Sequence, residues 1–106
     1  MRLILNSHRL TVSSAVLLIC LLSGCQQYGE VSPRAYEIST SLYSICNRHD
    51  VGRITAAETT INSSYEAAEI TEAEQQWLQD IVDKARADEW TTAMQDARTM
   101  MMEQVE

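Results

Sequence analysis

Apolar and polar positions follow two different rules along this chain. From Val12 to Leu22 the residues are apolar almost without interruption, broken only by Ser13 and Ser14. That run is about half of the ~20 residues that a membrane-spanning helix needs. Residues 26–31 are a short, largely polar stretch. From Ser32 onward apolar residues recur every three or four positions, the period of an amphipathic helix.

Ser32-Pro33 opens the first of these segments, with Ser at the cap and Pro at the first helical position. Ala35, Ile38, Leu42, Ile45 and Cys46 form its stripe, flanked by Tyr36 and Tyr43, and Asn47-Arg48-His49-Asp50 ends it. Asp50 is placed to cap a second helix, whose apolar side is expected to carry Val51, Ile54, Ala57, Ile61, Tyr65 and Ala68. Gly52, its threonines and Ser63-Ser64 give that helix the weakest intrinsic propensity of the set. Thr71-Glu72-Ala73-Glu74 reads as a capping box: Thr71 caps and Glu74 reaches back. Trp77, Leu78, Ile81, Val82 and Ala85 continue the third stripe. Asp80 and Lys84 form a favourable i,i+4 pair, and Lys84 and Arg86 suit the helix C-terminus. Asp88 is the expected cap of the last helix, lined by Trp90, Ala93, Met94, Ala97, Met100 and Met101 and expected to run to Gln104. The short link at Ala87-Asp88 makes the third and fourth segments an antiparallel hairpin with Trp77 and Trp90 in its seam.

The pattern therefore predicts an all-α fold, a small bundle of three to four short helices including a C-terminal helical hairpin. Trp77, Trp90 and Ala93 resemble three marker positions of a tetratricopeptide repeat. Asp80 and Ile81 depart from that pattern, and one unit is too few for a stack of such repeats. An ordinary helical hairpin accounts for the residues.

The N-terminal run changes meaning when its flanks are added. Arg2 and Arg9 make the first ten residues basic, with no acid to offset them. A basic start, a short apolar middle and small residues before a cut site describe a secretory signal peptide. Its last four residues, Leu22-Ser23-Gly24-Cys25, resemble the lipobox of bacterial lipoproteins. That resemblance covers residues 1–25 and implies cleavage before Cys25 and fatty acylation of Cys25, its thiol carrying a diacylglyceryl group. It also implies retention in the cell envelope. Gln26 stands where an Asp would hold such a protein at the inner membrane, which favours the outer membrane, facing the periplasm, if the source has two membranes. The expected organisation is a signal peptide over 1–24, a lipidated tether over 25–32 and a helical domain over 33–106. Six tether residues, 26–31, span at most about 22 Å, so the domain should sit close to the lipid.

Charge narrows the function classes. With Arg2 and Arg9 removed, six basic residues face fifteen acidic ones, leaving the mature chain at −9. Such a surface repels nucleic acid and anionic headgroups, so the membrane contact is expected through lipid on Cys25 and no nucleic-acid role is expected.

Candidate chemistry is sparse. Of the three cysteines, Cys20 leaves with the signal and Cys25 is acylated, so Cys46 has no partner for an intrachain disulfide. Cys46 and His49 share one helical spacing, but a zinc site needs at least three protein ligands. A Cys46 nucleophile with a His49 base would also need an orienting group and an oxyanion pocket. Cys46 reads best as a small buried residue, with an intermolecular disulfide as the other role. Glu66, Glu69, Glu72 and Glu74 cluster near the second connection, where carboxylates usually serve solubility. Met100-Met101-Met102 spreads three thioethers over about 200° of helix, so at least one faces outward.

No enzyme, metal or cofactor is expected. The expected function is a membrane-anchored, non-catalytic interaction module, whose protein partner would meet the Tyr36/Tyr43 flank or the Met-rich end; assembly of the domain with itself is a separate expectation. The alternative is metal or redox handling through Cys46, His49 and the C-terminal methionines.

Overall fold

The computed structural model describes residues 29–103; the signal segment, Cys25 and Gln104 lie outside them. Four helices follow in order: α1 (Pro33–Asn47), α2 (Val51–Glu66), α3 (Glu72–Arg86) and α4 (Trp90–Met102). There are no strands among the described residues. The fold is all-α, a small bundle whose last two helices pack together as a hairpin.

The helix starts follow from local chemistry. The Ser32 hydroxyl accepts the Ala35 amide at 3.3 Å, and Pro33 occupies the first helical position. At α3 the capping box is complete: Thr71 Oγ1 accepts the Glu74 amide at 3.1 Å, and Glu74 Oε1 accepts the Thr71 amide at 2.9 Å. Asp50 stands at the N-cap of α2, but its carboxylate accepts no capping bond. The start of α4 differs from expectation. Glu89, not Asp88, is its N-cap residue, and neither side chain caps it. Asp88 is instead in the left-handed region, at φ 66°, and its Oδ1 accepts the Trp90 indole N–H at 2.7 Å.

The helix stops share one device. Beyond each of α1, α2 and α3 a non-glycine residue turns left-handed: His49, Ala68 and Asp88. Their amides donate to the carbonyls of Cys46, Tyr65 and Ala85. The next amides, of Asp50, Glu69 and Glu89, donate to Ile45, Ser64 and Lys84. This is the Schellman closure three times over, without the glycine that normally relieves it. Helix α4 ends at Met102, two residues before the expected Gln104.

The core is continuous. Leu42, Ile61, Leu78, Ile81, Val82 and Met100 are fully buried, and Trp90 is nearly so. Tyr36, Tyr43, Trp77 and Met94 are partly buried against it. Val31 and Ile70, which precede the Ser32 and Thr71 caps, are buried as well and plug one end. Every helix pair makes contact except α2 with α4, and the most extensive pair is α1 with α4. Ala35, Ser39, Leu42 and Cys46 share one side of α1, and all are buried. The small Ala93 and Ala97 of α4 are equally buried. Small residues on both helices permit the close approach that this pairing needs.

Helix α2 departs most from the expected pattern. Ile54, Ala57 and Ile61 are buried as expected, but Val51, Tyr65 and Ala68 are exposed, and Ser64 is buried instead. With only α1 and α3 as neighbours, α2 has a narrow covered strip. Val51 lies at its very end, and Tyr65 falls one position past the Ile61–Ser64 line.

Candidate functional site

Leu22, Ser23, Gly24 and Cys25, the residues expected to direct cleavage and lipidation, lie outside the described residues. What the bundle does define is where the chain reaching toward them enters it. Short connections and the α1–α3 contacts give an up-down-up-down order. The start of α1, the α2–α3 connection and the end of α4 therefore share one pole. The α1–α2 and α3–α4 connections share the other.

A single buried carboxylate organises the first pole. Glu74 is 3% exposed. Its Oε2 accepts the Ser32 amide at 2.7 Å, and its Oε1 accepts the Ser32 hydroxyl at 2.9 Å beside the Thr71 amide. One side chain thus joins the N-termini of α1 and α3, where both helix dipoles favour negative charge. The other three members of the expected carboxylate cluster, Glu66, Glu69 and Glu72, are exposed. Glu69 pairs with Arg34 at 3.3 Å. Met100 is buried, Met101 half-buried and Met102 exposed at this pole, as the helical spread of the three predicted.

At the opposite pole the His49 ring stacks on Trp90, with centroids 5.0 Å apart and planes 10° from parallel. The stack ties the α1–α2 connection to the start of α4. Cys46 is 1% exposed, and burial pushes its thiol up to about 11, so it is a neutral thiol at ordinary pH. A buried, protonated sulfur is a poor nucleophile and a poor metal ligand. No group of three or more His, Cys, Asp or Glu side chains among the described residues is arranged to hold a metal ion.

Two charged links tie α3 to its neighbours. Lys84 donates to Asp96 of α4 and pairs with Asp80 at 3.2 Å; the Asp96 bond, more than any other contact, pushes its pKa up to about 12. Arg86 donates to Glu58 of α2 at 2.8 Å and holds that carboxyl below its ordinary range.

A groove of about 360 Å³ with apolar side chains in its lining runs between α1 and α2. Ile38 and Ile45 form its floor, and Ser41, Ala56 and Thr60 keep its walls low. Arg34 and Glu37 stand toward one end and Arg53 at the other. Arg34 pairs with Glu37 at 3.0 Å and donates to Ser64 at 3.0 Å. The Arg53 side chain has no ion partner among the described residues. This groove was not singled out in the sequence. The only trace there is the run of small residues on the outer side of α2, which is the side that weakens the helix.

No helix of the described residues is long and apolar enough to cross a membrane. Comparison of the chain with protein-family models, with characterised proteins and with solved structures finds no match.

Proposed function

We propose that this chain is a bacterial lipoprotein, cleaved before Cys25 and acylated there, whose four-helix domain is a non-catalytic interaction module held at the membrane surface. The observation that carries this reading is the Leu22-Ser23-Gly24-Cys25 motif at the end of a basic, then apolar, leader. Several features support it. The apolar run is too short to span a bilayer, so attachment falls to the lipid. Two or three acyl chains hold durably where one holds only marginally, at roughly 0.8 kcal/mol per buried CH₂. Val31 is already part of the core, which leaves five residues between Cys25 and the folded domain. Five residues reach at most about 18 Å, so the pole that carries Glu74 sits nearest the lipid. The chemistry of the bundle is of a piece with a binding role: Cys46 is buried and protonated, and the His49 imidazole is engaged with Trp90.

Mass spectrometry of protein recovered from membranes tests this directly. The expected N-terminal residue is Cys25 bearing a diacylglyceryl group, with or without an acylated amine. Cys25→Ala is expected to leave the uncleaved precursor. Recovery of a mature chain that begins elsewhere, or that carries no acyl mass, overturns the reading.

A further inference from the structure

The charges that line the α1–α2 groove point to an occupant. Helices α1 and α2 run antiparallel across a short connection that sets Asn47 level with Val51, and the Arg34–Ser64 bond fits the same count. Each pair of numbers sums to 98. By the same count Ser41 is level with Ala57, Ile45 with Arg53, and Glu37 with Ile61. All but Ile61 line the groove. Arg53 and Glu37 therefore stand eight residues, about 12 Å, apart along it. Their midpoint falls at Ser41 and Ala57, among the smallest residues in its lining.

We infer that the groove is the contact between two copies of this chain, related by a two-fold axis lying across it at Ser41 and Ala57. Such an axis reverses the groove end for end. Arg53 of each copy then arrives at the level of Glu37 on the other, the reciprocal pairing that an isologous interface requires. Arg53 gains a carboxylate that no described residue of its own chain supplies, and Glu37 is shared between Arg34 and the incoming guanidinium. Ser41, Ala56 and Thr60 let the helices approach. Two of the three charged residues lining the groove are arginines, so copies of this acidic molecule meet there without opposing their acids. Nine residues line the groove, against roughly 20–30 a side in a standard interface, and the dimer is accordingly weak in free solution. The inference rests on the lipoprotein reading at this point only: anchoring on one membrane raises the effective concentration enough for a weak interface to close.

The test is cross-linking of the full chain in its own membranes. A residue on a two-fold axis meets its own copy, so Ser41→Cys is expected to give a disulfide-linked dimer on mild oxidation, seen on a nonreducing gel. Gln95→Cys, exposed on α4, and the parent chain are expected to give none above background. Adding Arg53→Glu should lower the Ser41→Cys dimer about tenfold, because two ion pairs become two like-charge contacts. Combining Arg53→Glu with Glu37→Arg should restore it, and that recovery separates lost pairing from lost folding. Ala56→Trp, which fills the groove from an exposed position, should abolish it. Fractionation scores the anchor separately. Protein in the soluble fraction sinks the lipoprotein reading. No Ser41 cross-link above the Gln95 control, in whichever fraction holds the protein, sinks the dimer, as does a charge swap that fails to restore it.

Discussion

Glu74 and Cys46 show how much a single buried side chain decides here. Glu74 accepts three hydrogen bonds from two helix N-termini while almost fully buried. Removing it strands the Ser32 and Thr71 amides, each worth about 1–3 kcal/mol when left unsatisfied. Glu74→Ala is therefore expected to cost about 3 kcal/mol by chemical denaturation, whereas Glu72→Ala, exposed two residues earlier, should stay within about 0.5 kcal/mol. Equal losses for the two would show that the clasp carries no special energy. The capping half of this role was legible from Thr71 and Glu74. The Ser32 half was not, because it joins residues 42 positions apart. Cys46 makes a prediction of a different kind. Its thiol titrates near 9.0 when unfolded and is pushed up to about 11 when folded. Between those values the unfolded chain holds fewer protons, so stability falls as pH rises from 9 to 11. Lys84, raised from 10.5 to about 12, acts in the same direction at higher pH: its contribution is complete below 10.5 and is lost on passing 12. Stability measured against pH should therefore decline above about 9, and Cys46→Ala should flatten the first part of that decline. An unchanged slope in the variant would assign it to other groups.

At the scale of elements, the helix ends are strained where they need not be. His49, Ala68 and Asp88 each occupy a left-handed position that glycine adopts freely. Two of them are compensated: His49 stacks on Trp90, and Asp88 holds the indole N–H. Ala68 is exposed and has no such contact. Ala68→Gly is expected to stabilise the domain by about 1 kcal/mol. His49→Gly and Asp88→Gly should gain less or lose stability, since each gives up a contact with Trp90. Thermal melts of the three variants decide the order. The breaks at residues 47–50 and 87–88 were legible from sequence, whereas the end of α2 was not: Ala68 was expected on the helix, and no glycine marks that it turns left-handed beyond Glu66. A left-handed turn without glycine also explains the misplaced cap at Asp88: an Asp before a helix normally caps it, but here the backbone at Asp88 is committed to closing the helix before.

For the molecule as a whole, the packing order makes α2 the least secured helix. Like α4 it touches only α1 and α3 and buries four residues, but it takes no part in the extensive α1–α4 packing and leaves Val51 and Tyr65 exposed. Its glycine, threonines and serines lower its intrinsic helicity further. Amide exchange in the isolated monomer is expected to be fastest through α2, and slowest in α1 and α4 where the packing is most extensive. Uniform exchange across the four helices would mean that the bundle opens only as one unit. The groove lies on this same helix. A copy docked there would slow exchange along α2 before it slowed any other element, which gives the proposed dimer a second readout.

The order of helices, their starts at Ser32 and Thr71 and the stripes of α1, α3 and α4 were determined by residues within a few positions of one another. Caps, helical periods and i,i+4 pairs are local, so the chain states them wherever it is read. The α1–α4 seam, the Glu74 bridge, the exposure of Val51 and Tyr65 and the α1–α2 groove were decided only by tertiary structure. Each depends on which helix lies across from which, and four similar apolar stripes do not specify their partners. That choice is made by packing: small residues on α1 and α4 let the two ends of the domain close on each other, and α2 is left at the edge.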